Sequence, residues 1–341
     1  MVIAIVTVIV GLVSMAGLPI AQYPNIVPPQ IQVQTTYVGA DALTVEASVA
    51  TPIEQQMSGV EGMEYMYSIN ANNGQMQLNV IFGTDTQPTT DQILAQMRQT
   101  QASAQLPQDV RNYGVTVDQS YPSPLGVFVL YSPKGSYDPT FLANYAYINI
   151  NDPMTRVNGV GNVNIYGAGQ YAMRIWVQPD RLATLNITVP DVIRAVEAQN
   201  NVNPAGQIGG EPVPPGQVFT FTVNTTGRLV TPEDFEKIVI RANSDGSVVR
   251  VSDVARVDLG AQYYNLRGRF NGQNAAIICV YQQPGSNAVA TMNSVKALME
   301  KLSKDFPGDL DYTLTLDTTE AVTEGMKEIV KTLFEAMILV I

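Results

Sequence analysis

Two of the side chains that most often carry chemistry are all but missing from this sequence. None of its 341 residues is histidine, and Cys279 is the sole cysteine. Without imidazole and with a single thiol, the usual zinc sets, Ser-His-Asp triads and Cys-His dyads cannot be assembled within the chain, and a disulfide scaffold is excluded too. Cys279 sits in the apolar run Ala275 to Val280 and reads as a core residue. Met57, Met63 and Met66 could offer thioethers to a soft metal ion. Their spacing suits packing on a helix and the following strand better, so no metal ligands are assigned. Glu233 and Asp234 are neighbouring carboxylates, but they follow Thr231-Pro232 at a helix start, where negative charge complements the helix dipole. Gly159-Val160-Gly161 lacks the third glycine of a dinucleotide fingerprint, and no Gly-x-x-x-x-Gly-Lys phosphate loop occurs. These residues predict no catalytic group and no enzyme.

Composition narrows the partners. Charged residues make up 14% of the chain, below the roughly 25% of ordinary soluble domains, so Gln, Asn, Ser and Thr must supply much of the polar surface. Nineteen Lys and Arg stand against 30 Asp and Glu, for a net charge of −11 and no basic run; no nucleic acid is expected as a partner. Met1 to Leu18 is an uncharged apolar run of nearly membrane-spanning length, closed by Pro19 with Tyr23 and Pro24 following. A signal peptide is the alternative, but the basic segment that would open one is missing. Leu333 to Ile341 is apolar apart from Glu335 and too short to cross a bilayer. The sequence therefore predicts an extramembrane module between two membrane segments.

That module contains a repeat. Ile31, Val33 and Thr35 alternate with polar residues as in a half-buried strand. Leu43, Val45, Val49, Ile53 and Met57 follow at near-helical spacing, with Pro52 marking a kink or a fresh helix start. Two strands flank the hairpin signal Asn72-Asn73-Gly74. Thr90-Asp91 then opens a helix with Ile93, Met97 and Ala104 on one face, and Val115 to Val117 closes the unit. This is the split βαβ order of a ferredoxin-like sandwich. From Leu125 the order recurs: Val157-Asn158-Gly159-Val160 copies Val60-Glu61-Gly62-Met63, and after a delay Asn271-Gly272-Gln273 copies Asn73-Gly74-Gln75. A helix with Val289, Met292, Val295, Met299 and Leu302 follows, then Phe306-Pro307-Gly308-Asp309 mirrors Leu106-Pro107-Gln108-Asp109. The delay between about 178 and 265 is an inserted domain of its own.

Within the insert, Thr188 with Asp191 and Thr231-Pro232 mark helix starts, and Asn243 to Gly246 turns between strands. Asn200 to Gly227 is too long and too broken by Pro and Gly for an ordinary connection. It is expected to be an ordered arm reaching a neighbouring subunit, stiffened by Pro204, Gly209, Gly210, Pro212, Pro214 and Pro215, with Val218 to Val223 as a strand; a disordered loop is the alternative.

Several segments resemble the drug-exporting, acriflavine-resistance branch of the resistance-nodulation-division pumps. They are Pro19-Ile20-Ala21-Gln22-Tyr23-Pro24, Thr36-Tyr37-Val38-Gly39-Ala40, Pro52-Ile53-Glu54-Gln55, Gln170 to Trp176, Ala198-Gln199-Asn200, Asp317-Thr318-Thr319 and Val330 to Ala336. The resemblance implies an α+β fold of two ferredoxin-like split βαβ porter subdomains with an inserted α+β docking subdomain, flanked by partial transmembrane helices. In these terms residues 1–18 belong to the first transmembrane helix and 25–120 to the first porter subdomain. The second porter subdomain takes 121–177 and 263–318, the docking subdomain 178–262 with its arm at 200–227, and the start of the second transmembrane helix 325–341.

The function it implies is the periplasmic part of an inner-membrane, proton-driven exporter. Such exporters expel amphiphilic drugs, dyes and detergents, working as a homotrimer with a periplasmic adaptor (membrane fusion) protein and an outer-membrane channel. No cofactor is implied; the proton motive force is coupled in later transmembrane helices, beyond Ile341. The alternatives are the same architecture exporting lipid-like endogenous compounds, and a non-transporting periplasmic assembly or scaffold protein. Substrate contacts are expected from apolar and mildly polar groups on strands facing a cleft between the repeats. Leu125 and Val127 are expected to share one strand face, as are Asn164 and Tyr166, and the resemblance adds Asn265, Leu266 and Leu316. Where family members place pocket aromatics, this sequence has Pro124, Tyr166 and Leu316.

Overall fold

The computed structural model describes Val6, Val10 and residues 28–121, 123–202, 206–209, 219–223, 227–264 and 266–340. The first repeat begins with β1 (Gln30–Thr36), whose alternation buries Ile31, Val33 and Thr35. Helix α1 (Ala42–Val45) continues through a π-helical stretch, Glu46–Ala50, into α2 (Thr51–Met57). Strands β2 (Met63–Asn70) and β3 (Gln75–Phe82) follow, then α3 (Pro88–Ala102), α4 (Gln108–Tyr113) and β4 (Thr116–Ser120). The sheet order is β2-β3-β1-β4 with every neighbouring pair antiparallel, the expected split βαβ sandwich. Val45, Val49, Ile53 and Met57 are fully buried, whereas Leu43 is exposed. Met63 and Met66 pack against the same core as Met57.

The second repeat starts with β5 (Gly126–Tyr131) and α5 (Pro139–Tyr145), runs through a second π-helical stretch, Ala146–Asn151, into α6 (Asp152–Thr155), and reaches β6 (Val160–Tyr166). Both π stretches end just ahead of a proline, Pro52 or Pro153, at the second position of the next α segment. Proline has no N–H to give the carbonyl four residues back, and the wider turn takes up that break.

The insert then leaves through β7 (Tyr171–Val177). It contains α7 (Pro179–Leu185), α8 (Val189–Gln199), a short ribbon of β8 (Gln207–Ile208) and β9 (Phe221–Thr222), α9 (Pro232–Glu236), β10 (Val239–Ala242), β11 (Val248–Arg250) and α10 (Val251–Val254), and returns along β12 (Ala255–Ala261). Strands β7 and β12 pair antiparallel over their whole length, from Tyr171↔Ala261 to Val177↔Ala255. At their base Tyr263 donates to the Ala168 carbonyl (3.0 Å) and Gln262 to that of Gln170 (2.9 Å). Thr188 and Asp191 form a reciprocal capping box on α8, and Thr231 caps α9 ahead of Pro232. Leu182, Val192, Phe235, Val251 and Val254 close a separate insert core.

The second repeat resumes with β13 (Gly268–Phe270), β14 (Gln273–Gln282), α11 (Ala288–Ser303) and β15 (Asp311–Asp317), after which α12 (Thr319–Val340) begins. Both β6 and β13 pair with β14, β6 at Ile277 to Gln282 and β13 at Gln273 to Ala275, while β5 pairs with β14 and β15 with β5. Two short strands thus fill the lane that β2 fills alone in the first repeat, and the insert is spliced into the sheet's edge strand. Among the described residues no helix is long and apolar enough to cross a membrane.

Two expectations of helix and strand detail change. Ile93, Met97 and Ala104 do not face the core: Ile93 and Met97 are 57% and 56% exposed, and the buried face of α3 is Asp91, Ala95, Gln99 and Ala102. Alanine lets the helix lie close to the sheet, and Asp91 is buried with its carboxylate accepting from Thr86 Oγ1 at 2.7 Å. In the arm, strand pairing among the described residues is limited to Phe221–Thr222 against Gln207–Ile208. Pro204, Gly210, Pro212, Pro214 and Pro215 lie outside the described residues. Gly209 is described, with φ of 81°, and its carbonyl accepts from Thr220 Oγ1 at 3.1 Å.

Candidate functional site

Among the described residues, the core helices of the second repeat pack on one face of its sheet. Phe128, Leu130, Val163, Ile165, Ala276, Ile278 and Val280 belong to the helix-side core. Their strand neighbours must point the other way, and cross-strand register aligns them in rungs. One rung holds Tyr166, Ile277, Val129 and Thr313; the next holds Asn164, Cys279, Val127 and Leu316; a third pairs Asn162 with Tyr281. No side chain on these rungs is charged.

Leu316 reaches this face through an irregularity. Leu314 pairs with Phe128 and packs on the core, and simple alternation would send Leu316 after it; a register shift between Leu314 and Leu316 instead sets Leu316 opposite Val127, 44% exposed. Tyr166, at 40% exposed, is the most open ring on the rungs, while Tyr281 is 9% exposed. The Tyr121 ring lies 6.0 Å from that of Tyr281, tilted by 34°. It can do so because β6 carries Gly161, where a Cβ would stand 2.9 Å from the Tyr121 ring carbon Cζ. Asn162 Nδ2 donates to Asn164 Oδ1 (3.3 Å) and Tyr147 Oη to the Ile165 carbonyl (3.4 Å).

Burial, first, and the neighbouring Tyr166 push the Tyr281 hydroxyl above the usual phenol range. Burial, then Asp118, does the same to Tyr121, and burial, then Tyr263 and Tyr166, to Tyr147. Burial also raises the Cys279 thiol, which therefore stays protonated at neutral pH and is no nucleophile. The arrangement offers apolar area, protonated phenols and side-chain amides: the chemistry of binding, with no group set up for bond making.

The residues expected at the site do not all meet. Val127, Asn164, Tyr166 and Leu316 come together on two adjacent rungs. Leu125 does not share Val127's face; it is 4% exposed and packs into the helix-side core, because the strand starts only at Gly126 and alternation does not hold before it. Its backbone anchors two strands instead, the N–H donating to the Val280 carbonyl (2.7 Å) and the carbonyl accepting from Thr318 Oγ1 (2.7 Å). Leu266 is 42% exposed in the connection before β13 and lies on none of the three rungs, and Asn265 is outside the described residues. Ile277, Cys279, Tyr281, Asn162 and Thr313 escape a reading of the sequence. Strand β14 is apolar on both faces, so its pattern cannot say which side is free.

A cavity of about 490 Å³ lies in the insert between α8 and β10. Its polar groups are engaged locally: the Gln199 amide donates to the Val239 carbonyl (2.7 Å) and accepts from its N–H (3.1 Å), Arg194 pairs with Asp191, and Arg241 Nε donates to Asn243 Oδ1 (3.0 Å). It is a seam between elements. Among the described residues no cluster of three or more His, Cys, Asp or Glu could hold a metal ion.

Comparison with known proteins assigns the chain to a family. The model of the AcrB/AcrD/AcrF family matches residues 1–341. The multidrug resistance protein MdtF of Escherichia coli K12 is 41% identical over 339 residues, covering 99% of this chain and 33% of MdtF. The multidrug export protein AcrF of the same strain is 40% identical over 341 residues, covering 99% and 33%. The toluene efflux pump membrane transporter TtgB of Pseudomonas putida is 40% identical over 339 residues, covering 99% and 32%. The chain spans about a third of the length of these relatives.

Proposed function

Since the chain belongs to the AcrB/AcrD/AcrF family, we propose that it is the periplasmic porter and docking portion of an inner-membrane, proton-driven exporter of amphiphilic drugs, dyes and detergents. The observation that carries the reading is the face of the second sheet turned away from its core helices, with uncharged rungs through Ile277 and Cys279 and the half-open side chains of Tyr166 and Leu316. An amphiphile needs apolar area with a few neutral polar anchors, and this face offers both. The names of MdtF, AcrF and TtgB, as multidrug or toluene efflux proteins, support it. The protein is thus a transporter and not an enzyme, needs no cofactor, and acts with a periplasmic adaptor and an outer-membrane channel.

The two repeats are its porter subdomains and the insert its docking subdomain. The exposed ribbon at the base of the arm, with Ile208, Phe219 and Phe221 at 62%, 71% and 64% exposure, supports the arm as a contact between subunits of a homotrimer, since apolar side chains held out on so thin a ribbon gain most from a neighbour. Expressing the complete gene in a pump-deficient Gram-negative host tests the function. A broad rise in tolerance of dyes and detergents is expected; unchanged susceptibility with correct membrane insertion would rule the exporter out.

A further inference from the structure

The turn between β3 and α3 encloses a carboxyl group with almost nothing to hold a charge on it. Asp91 is 2% exposed, and its side chain makes one hydrogen bond among the described residues, with Thr86 Oγ1 at 2.7 Å. The same oxygen stands 2.8 Å from the Gly83 carbonyl. A hydroxyl has one proton to give. If Asp91 is ionised, that proton goes to the carboxylate, the side-chain bond to Gly83 is lost, and a buried charge is left with a single donor. If Asp91 is protonated, its own O–H donates to Thr86 Oγ1 and the Thr86 hydroxyl donates to Gly83. Both contacts are then hydrogen bonds, and no charge is buried.

The surroundings favour the second arrangement. Among the described residues no Lys or Arg pairs with Asp91. Of the elements that pack on α3, β1 carries no charged residue, α2 carries Glu54, and β4 carries Asp118, which pairs with Gln32. The cation of α3 itself, Arg98, gives its guanidinium to the Gly59 carbonyl (3.2 Å). Asp85 lies in the turn, and Glu61 and Glu64 lie on either side of Gly62. Asp85 Oδ1 and Glu64 Oε1 crowd Gly83, 2.7 and 3.8 Å from where its Cβ would stand. Apart from Arg98 every charge in this list is negative. Burial raises the Asp91 carboxyl above its ordinary range, although the Thr86 hydrogen bond pulls the other way. At the start of α8, by contrast, Asp191 accepts from the Thr188 hydroxyl (2.6 Å) and N–H (2.8 Å) and pairs with Arg194, which holds it down at about 2.

We propose that Asp91 is a proton-binding site, occupied when the first repeat is packed, and that losing the proton loosens the turn between β3 and α3. Thr86 is the group through which the turn feels the change. Its methyl leans on Gly62, where a Cβ would come within 2.8 Å of Cγ2, and the Gly62 carbonyl accepts from the Gly83 N–H (2.9 Å) just ahead of β2. Hydrating an ionised Asp91 means parting these contacts, which join β2, β3 and α3. Because the folded chain holds the proton more tightly than the unfolded one, the stabilisation is complete below the usual carboxylate value of about 3.9 and is lost as pH rises through the folded value.

Melting temperatures of the full chain are measured against pH for wild type and for Asp91→Asn, whose amide copies the protonated carboxyl as a donor to Thr86. Asp91→Asn is expected to melt about 3 °C above wild type at neutral pH, with the gap closing on acidification towards about pH 3.9. Carbon-13 NMR of the aspartate carboxyls reads the site directly: one wild-type resonance, absent from Asp91→Asn, is expected to titrate above that value. A variant that melts below wild type by the same margin at every pH is the result expected of an ordinary carboxylate stabilised at a helix start, and it would overturn the proposal. So would a wild-type spectrum in which every aspartate titrates at or below about 3.9, a result that does not depend on how well the variant folds.

Discussion

Leu316 stands directly opposite Val127 although it comes only two residues after Leu314, which packs on the other side of the sheet. The register shift that divides them gives β15 an inward leucine and an outward one. Leu314→Ala should therefore lower the melting temperature clearly, at a cost of about 2 kcal/mol, while Leu316→Ala should cost under about 1 kcal/mol. Equal losses would mean that both leucines are core.

Gly159 is held at φ of 90°, and a Cβ there would meet Thr291 Oγ1 at 2.1 Å. Gly272 has φ of 83° with open space around it. Gly159→Ala should then destabilise by about 3 kcal/mol and Gly272→Ala by about 1 kcal/mol, strain in both but a clash only in the first. Adding Thr291→Ala to Gly159→Ala should restore part of the loss. Thermal unfolding of the three variants decides it, and a double mutant no better than the single would show that the clash is irrelevant.

Asp309 ties the end of the second repeat to the turn after β5. Its carboxylate accepts from Ser132 Oγ and from the backbone N–H groups of Lys134 (3.1 Å) and Ser136 (3.2 Å). The Ser132 bond, before the others, holds its pKa down at about 2. Because the folded value lies below the usual carboxylate value of about 3.9, the stabilisation is complete above that pH and lost as pH falls towards about 2. Asp309→Asn should melt lower than wild type at neutral pH and lose less on acidification across that window. Parallel melting curves down to pH 2 would contradict this.

Trp176, the sole tryptophan, reports on the ribbon that joins insert to repeat. The Arg174 guanidinium lies 5.2 Å from its ring centre and 5.1 Å from that of Tyr264. The Tyr264 hydroxyl accepts from the Ala261 N–H (3.2 Å) and sits over Gly260, where a Cβ would come within 2.4 Å of it. Arg174→Ala should make Trp176 more accessible to acrylamide quenching with the far-ultraviolet circular dichroism unchanged. Gly260→Ala should do the same by displacing Tyr264. Unaltered quenching in both would mean that the stacked arrangement does not hold the ribbon.

Much of the fold was legible because it is written locally. The Asn-Gly turns, the Thr caps of α8 and α9 and the period-two pattern of β1 each depend on neighbours in sequence. Matching pairs such as Asn73-Gly74 and Asn271-Gly272 exposed the repeat. The α3 face is harder to read for a related reason: counting apolar residues favours Ile93 and Met97, whereas close helix-to-sheet packing favours Ala95 and Ala102.

Two ferredoxin-like units, an insert lodged within the second, the absence of imidazole and the limit of one thiol can all be read from the chain alone. Long-range pairing adds that the insert is spliced into an edge strand, that Leu125 turns inward while Leu316 turns outward, and that Ile277, Cys279 and Tyr281 share the face away from the helices. Strand β14 is apolar on both sides, so its own pattern carries no direction. Direction comes from where α5, α6 and α11 pack, from the shift in β15 and from the pairing of strands far apart in the chain, none of which a local pattern contains.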